Sequence, residues 1–243
     1  RARTTRPTGT SLPKRGGGRA AAAASLRLAA SGRSDLIEGP MAITASDISS
    51  AYLLPPIFTK LTQLAPKLHI NIIAANDVRD LLRREADIAI RHVRPTEPEL
   101  IARLIANGSG HLVCAQSYID RCGLPADIAD LSNHEFISFG EPQQTIDYLQ
   151  NMGIHLTKQN FKIRCDNGVV SWEMVRAGMG LAFMDSRVVE KFTGLVRVLP
   201  DLPPIEYPIW LTTHRELHTS QKIRLVFDLL AKMIPNAMGR RGG

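Results

Sequence analysis

The stretch "PMAITASDISSAYLLPPIFTKLTQLAPKLHINII", residues 40–73, decides how the chain folds. Met41 to Thr44 is short and apolar, the pattern of a buried strand. Ala45-Ser46-Asp47 then gives way to a helical pattern, with Leu53, Leu54, Ile57, Phe58, Leu61 and Leu64 at helix spacing. Pro55 and Pro56 carry no N–H, so they either kink this helix or begin its main part. The helix ends before Pro66, and "KLHINIIAAN" follows as a strand with β-branched residues at 70, 72 and 73. Strand, helix and strand in succession make a right-handed βαβ unit and predict parallel pairing. A hydroxyl and a carboxylate, Ser46 and Asp47, stand where the first strand hands over to the helix. Such a junction caps the helix, holds a small anion, or does both.

The alternation continues outward from this stretch. "VRDLLRREA" reads as a short helix, "DIAIRHV" as a third strand, "ELIARLIA" as a fourth, and "HLVCAQ" as a fifth that leads into a helix at "SYIDRCG". Residues 41–114 are therefore expected to form a mostly parallel sheet. Beyond them "EFISFG", "NFKIRCD", "GLAFMD" and "LVRVLPDL" read as strands, with helices at "QTIDYLQNMGI" and "GVVSWEMVRAGM". Pro203, Pro204 and Pro208 precede a last strand, "IWLTTH", and an amphipathic helix through Ile223, Val226, Phe227, Leu230 and Met233. This strand and helix have no second lobe to complete, so they pack back onto the first. The expected fold class is α/β, with two Rossmann-like lobes: residues 41–114, residues 115–207, and a return over 208–236. The lobes are joined by a hinge of two crossover strands, near His111–Ala115 and Tyr207–Leu211, and a cleft lies between them. Residues 1–40 read as a basic, disordered arm and 237–243 as a disordered tail.

Charge is uneven along the chain. The net charge of +7 suggests nucleic acid until it is located. Residues 1–33 hold eight basic and no acidic residues; removing those eight from the thirty basic residues leaves 22 against 23 acidic ones. The body is thus near neutral, and the arm is expected to bind DNA only weakly and without sequence preference. The longest apolar runs are too short to cross a membrane, and Arg27 interrupts the Ala-rich segment that resembles a secretory signal. Cys114, Cys122 and Cys165 form no CxxC pair, and the histidines form no HExxH pattern. No metal or other cofactor is expected, and the thiols read as unpaired in a reducing, cytoplasmic compartment.

Four segments together carry a resemblance: residues 40–73 above, "EADIAIRHVRP" (85–95), "LVCAQSYIDRCGLPADIADLSNHEFISF" (112–139) and "MVRAGMGLAFM" (174–184). In this order they resemble the effector-binding domain of LysR-type transcriptional regulators, over roughly residues 40–235. The resemblance implies the fold of type II periplasmic binding proteins. It also implies a small-molecule effector, pairing into a homodimer or homotetramer, and DNA contact through a winged helix-turn-helix that is not recognisable in this chain. Dimer contacts would fall on Ala51–Leu64 and on the helix around Trp172; Trp172 itself is expected to be core or dimer surface rather than a ligand platform. One departure is Met184-Asp185-Ser186, where the family commonly has a proline.

Open α/β sheets bind ligands at the carboxyl ends of their strands, where helix N-termini also point. Ser46 and Asp47 stand at such an end, and the resemblance makes Ser46 a ligand contact. Asp47 would repel a carboxylate, so its side chain either faces elsewhere or selects an amine. Arg91 and His92 end the "DIAI" strand; Arg91 either clamps a carboxylate or forms a loop ion pair. Phe139 ends "SFG" as a cleft wall or a core residue. Asn167, Gly168 and Val169 open a helix whose N–H groups suit an oxyanion, or Asn167 simply caps that helix, and Asp185 ends "LAFM" as a specificity element. The expected effector is accordingly a small anionic metabolite. No nucleophile elbow, metal cluster or P-loop is present, so catalysis is not expected. A rival reading is a solute-binding protein of a transport system with the same fold.

Overall fold

The computed structural model describes residues 37–76 and 86–239. The first strand, β1 (Gly39–Ala45), pairs in parallel with β2 (Leu68–Ala74) on one side and β3 (Ile88–Arg91) on the other. Met41, Ile43, Thr44 and Ala45 are accordingly buried, which is why this strand shows no apolar–polar alternation. Between β1 and β2, a π-helical turn over Ser49–Leu53 runs into α1 (Pro55–Leu64). The prolines thus begin the main helix, in the first turn, where a missing N–H costs nothing. Ile57, Phe58 and Leu61 turn its apolar face onto the core. The helix expected at "VRDLLRREA" lies outside the described residues.

The fourth and fifth expected strands are one: β4 runs unbroken over Leu100–Ala115, 16 residues, with a bulge between Leu104 and Ala106. Asn107-Gly108-Ser109-Gly110 looks like a turn in sequence. Here it is held extended by pairing along its length with β9. After β4 come α2 (Gln116–Cys122), β5 (Ile137–Phe139), α3 (Pro142–Gln150), β6 (Ile163–Cys165), α4 (Gly168–Arg176), β7 (Ala182–Asp185), the short α5 (Ser186–Val189), β8 (Leu195–Arg197), β9 (Ile205–His214) and α6 (Gln221–Met238). The strand order is β2-β1-β3-β9-β4-β7, with β8 also on β4, and β5-β6 form a separate parallel pair. Because β9 runs antiparallel to both β3 and β4, the large sheet is mixed rather than mostly parallel.

The hydrophobic core divides. One cluster joins β1, α1 and β3 to Ile209 and Leu211 of β9 and to Ile223, Val226, Phe227 and Leu230 of α6. A second gathers Leu112, Cys114, Tyr118, Phe136, Leu149 and Leu181, and a third gathers Val113, Ile137, Trp172, Val175 and Val188. The returning strand and helix do pack on the first lobe. On β4 the crossing lies earlier than expected: Gly110 pairs with both Ile205 of β9 and Asp185 of β7, so His111–Ala115 already belong to the second lobe. On β9 the crossing includes Pro208, inside the strand rather than before it. Pro208 lies beyond the end of β3, whose last residue Arg91 pairs with Trp210, so that flank of β9 has no ladder to break. Gly108 lies opposite Tyr207, and a Cβ there would sit 2.3 Å from the Tyr207 ring; only glycine lets the ring lie across β4. Ile37 is buried and β1 begins at Gly39, so buried and strand residues already lie inside the expected arm. Likewise α6 continues to Met238, into the expected tail.

Candidate functional site

The first lobe's wall of the cleft is built at strand ends. Where β1 ends, the Ser46 hydroxyl accepts from the Ser49 N–H at 3.3 Å and so caps the following turn. The turn is a π-turn because Leu54 N–H reaches back to Ser49 C=O, at 2.9 Å, before Pro55 starts α1. Where β3 ends, His92 presents Nδ1 to the Pro208 carbonyl and Nε2 to the Ser49 hydroxyl, each at 3.4 Å. A carbonyl only accepts, so Nδ1 carries the proton and Nε2 accepts from Ser49. Burial, with smaller effects of Arg91 and Arg187, pulls the His92 pKa below its usual value, against the Pro208 hydrogen bond and Asp185; this keeps the ring neutral at neutral pH. The Ser49 oxygen in turn accepts the Ser46 proton at 2.9 Å.

The network extends onto the crossover. Tyr207 packs edge-on against His92, ring centroids 4.9 Å apart, and its phenol donates to the Asp185 carboxylate. Arg187 Nε donates to the same carboxylate at 2.8 Å. Burial pushes the Asp185 carboxyl up, but the hydrogen bonds from Arg187 and Tyr207 outweigh it, and its pKa lies below the usual value. Asp185 also accepts the Arg187 N–H and so caps α5. Asp185 thus serves both as a helix cap and as one side of a half-buried ion pair.

Asp47 connects the lobes. Its Oδ1 accepts from the Ile48 N–H at 2.7 Å and its Oδ2 from the Gly168 N–H, at the N-terminus of α4, at 2.5 Å. A Cβ on Gly168 would come within 2.8 Å of Asp47 Oδ1 and 2.9 Å of Ile48, so glycine is what allows this approach. Asn76, at the end of β2, accepts from the Asp47 N–H and donates to the Asp166 carbonyl across the gap, at 3.3 and 3.5 Å. Tyr52 donates to Glu173 at 3.2 Å and sets its ring edge-on to Phe192.

Between the two walls lies a cavity of about 570 Å³. That falls within the rough range of 300–1,000 Å³ typical of small-molecule sites. The second lobe lines it with rings, among them Phe136, Phe139, Tyr148, Phe161, Trp172 and Phe183. Phe139 and Tyr148, 49% and 48% exposed, form the mouth, while Trp172, 1% exposed, forms the back.

Two α/β lobes on crossing strands β4 and β9, with a cavity between them, match the architecture expected from the resemblance. The family model described as LysR substrate binding domain matches residues 34–234. The chain belongs to this family. Among curated relatives, the LysR-family chain is 20% identical to the transcriptional regulator CrgA of Neisseria meningitidis, over 83% of this chain and 69% of that protein. It is 23% identical to the transcriptional activator TtdR of Escherichia coli, over 77% of this chain and 62% of that one. The solved regulatory domain of CrgA superposes with a TM-score of 0.72 at 17% identity, covering 81% of this chain and 99% of that domain. At that identity the superposition speaks for the fold, the type II periplasmic-binding-protein arrangement.

Of the expected site residues of this LysR-family domain, Ser46, Asp47, His92, Phe139, Gly168 and Asp185 come together around the cavity. Arg91 does not: its guanidinium is buried and donates to Thr44 Oγ1 at 2.8 Å and to its own strand at Ile90 C=O. Asn167 accepts from the Val170 N–H as the cap of α4, and neither it nor Val169 lines the cavity. Trp172, expected as core or dimer surface rather than a ligand platform, is core but also forms the back of the cavity. Sequence reading passed over Ser49, Asn76 and Tyr207. Asn76 was findable, because it ends a strand as Ser46 and His92 do. Tyr207 was not, because its place depends on the crossover and on Gly108. Among the described residues no group of His, Cys, Asp and Glu is arranged to hold a metal ion, and no helix is long and apolar enough to cross a membrane.

Proposed function

We propose that this chain is the sensing domain of a LysR-type transcriptional regulator, which holds a small-molecule effector in the cavity between its lobes and works in the cytoplasm. The observation that carries this reading is the cavity itself: both lobes line it, and Asp47 and Gly168 join them at its edge. A molecule placed there touches both lobes and biases the angle between them. The shift is limited to the effector's difference in affinity for the open and closed arrangements. The domain pairs with copies of itself through the flanks of α1 and α4 and passes the change to a DNA-binding domain elsewhere in the full regulator. It binds its effector without turning it over.

A thermal-shift screen of small metabolites tests the reading. Hits should raise the melting temperature of the wild type and lose at least half of that rise in Ser46→Ala. A rise that Ser46→Ala leaves whole would place binding outside the cleft. A monomer by size-exclusion mass would contradict pairing, and turnover of any hit that vanishes in His92→Ala would contradict a pure sensor.

A further inference from the structure

The end of α4 that faces the cleft already has an anion. Free N–H groups at a helix N-terminus attract negative charge, and this is where the carboxylate of an effector is expected to sit. In this structure the Asp47 carboxylate sits there, on the Gly168 N–H, itself 6% exposed. Among the described residues the other formal charge on the cavity wall is Asp185, already paired with Arg187 and Tyr207. Among the described residues no lysine or arginine lines the cavity.

Hydrogen-bond direction points the same way. His92 Nδ1 donates to the Pro208 carbonyl, so Nε2 must accept from Ser49. Ser49 must then accept from Ser46, whose proton is thereby committed. What Ser46 has left for a ligand is a lone pair. At the Ser46–Asp47 corner a carboxylate, which brings only acceptors, would meet an acceptor and a carboxylate, with no cation among the described residues of the wall to offset them; burying a charge unpaired is costly. A group with N–H or O–H donors would meet Ser46 Oγ and Asp47 as partners.

We infer that the effector is an apolar ring compound without an anionic group, neutral or cationic, which donates hydrogen bonds to the Ser46–Asp47 corner and stacks its ring against the aromatic wall of the second lobe. This replaces the anionic effector expected from the sequence, and it rests on the cleft being the effector site.

Benzamide, benzamidine and benzoate share one shape and differ in charge, so they serve as probes. Their dissociation constants are measured by calorimetry on the whole chain, with Trp172 emission followed in a Trp210→Phe background. In the wild type, benzamide and benzamidine should each bind at least tenfold more tightly than benzoate. Asp47→Ala removes the carboxylate and frees the Gly168 N–H, so benzoate should gain and benzamidine lose at least tenfold. Asp47→Asn keeps the shape of the corner if the alanine variant fails to fold, and it should abolish the preference of benzamidine over benzoate. Benzoate binding the wild type as tightly as benzamide, with a change in Trp172 emission, would overturn the charge inference and leave the cleft as the site. If none of the three alters Trp172 emission at millimolar concentration, the cleft reading fails and this inference with it.

Discussion

The two walls of the cleft are built on different principles. On the first lobe, Ser46, Asp47, Asn76 and His92 sit at the ends of β1, β2 and β3 and are tied down by hydrogen bonds. On the second lobe, rings such as Phe139, Tyr148 and Trp172 project from β5, α3 and α4 and supply area with few polar atoms. On the proposed reading of the cleft as effector site, the first wall decides which chemical groups are accepted, and the second supplies much of the affinity. Changes on the second wall should therefore cost mainly stability and fit, and changes on the first should cost mainly selectivity.

The largest loss is expected from Trp172→Ala. It removes a ring 1% exposed from the cluster with Val175 and Val188, and should cost about 3–5 kcal/mol in denaturant unfolding. A loss under about 1 kcal/mol would show that this wall is not core. Next come the two sides of the latch. Asp47→Ala should cost about 2 kcal/mol through the loss of a buried carboxylate and its two N–H partners. Gly168→Ala should cost about 1–3 kcal/mol by overpacking against Asp47 and Ile48. The double variant should lose less than the sum of the two, because removing Asp47 relieves part of the clash. Strict additivity would mean that the two residues do not meet. Ser46→Ala should cost only about 1 kcal/mol, the worth of a helix cap, while its loss of ligand affinity exceeds that.

The legibility of the sequence follows the same division. The polar wall was readable because strand ends are visible as the last residue of an apolar run, and Ser46, Asp47 and His92 were found that way. Arg91 failed the rule: it is the last residue of β3 itself, so its side chain turns into the lobe toward Thr44, while His92, one residue on, turns to the cleft. The aromatic wall was legible only in part. Trp172 reads as core or dimer surface, and it is core, as are Phe136 and Phe161; nothing in the pattern says that a core also borders a cavity. Long-range pairing hid the rest. No local signal distinguishes a glycine-containing turn at Asn107–Gly110 from the middle of a 16-residue strand, and the difference is made by β9, about a hundred residues later.

The smallest expected effect is that of pH. His92 and Asp185 both have pKa values lowered by the fold. The unfolded chain therefore binds protons more tightly. The His92 share of stability is full above its ordinary value of 6.5 and is lost as pH falls through its folded value. The Asp185 share persists down to its ordinary value of 3.8 and is lost below it, as pH falls through the folded value. Melting temperature should thus fall between about pH 7.5 and pH 5.5, and the fall should shrink in His92→Gln. An equal fall in both proteins would remove His92 from the account. Among the described residues Arg91, Arg187 and Asp185 are the charged groups that act on His92, and Tyr207 packs against its ring; the shifts of Asp185, Arg187 and Tyr207 all run away from this pH range.

The most direct test of the cleft as effector site is a fluorescence titration of the Trp210→Phe chain, in which Trp172 at the back of the cavity is the sole tryptophan. With benzamide, the emission of Trp172 should change along a saturable curve whose midpoint equals the dissociation constant from calorimetry. Calorimetric binding with Trp172 emission unchanged would place the ligand elsewhere on the protein and contradict the account.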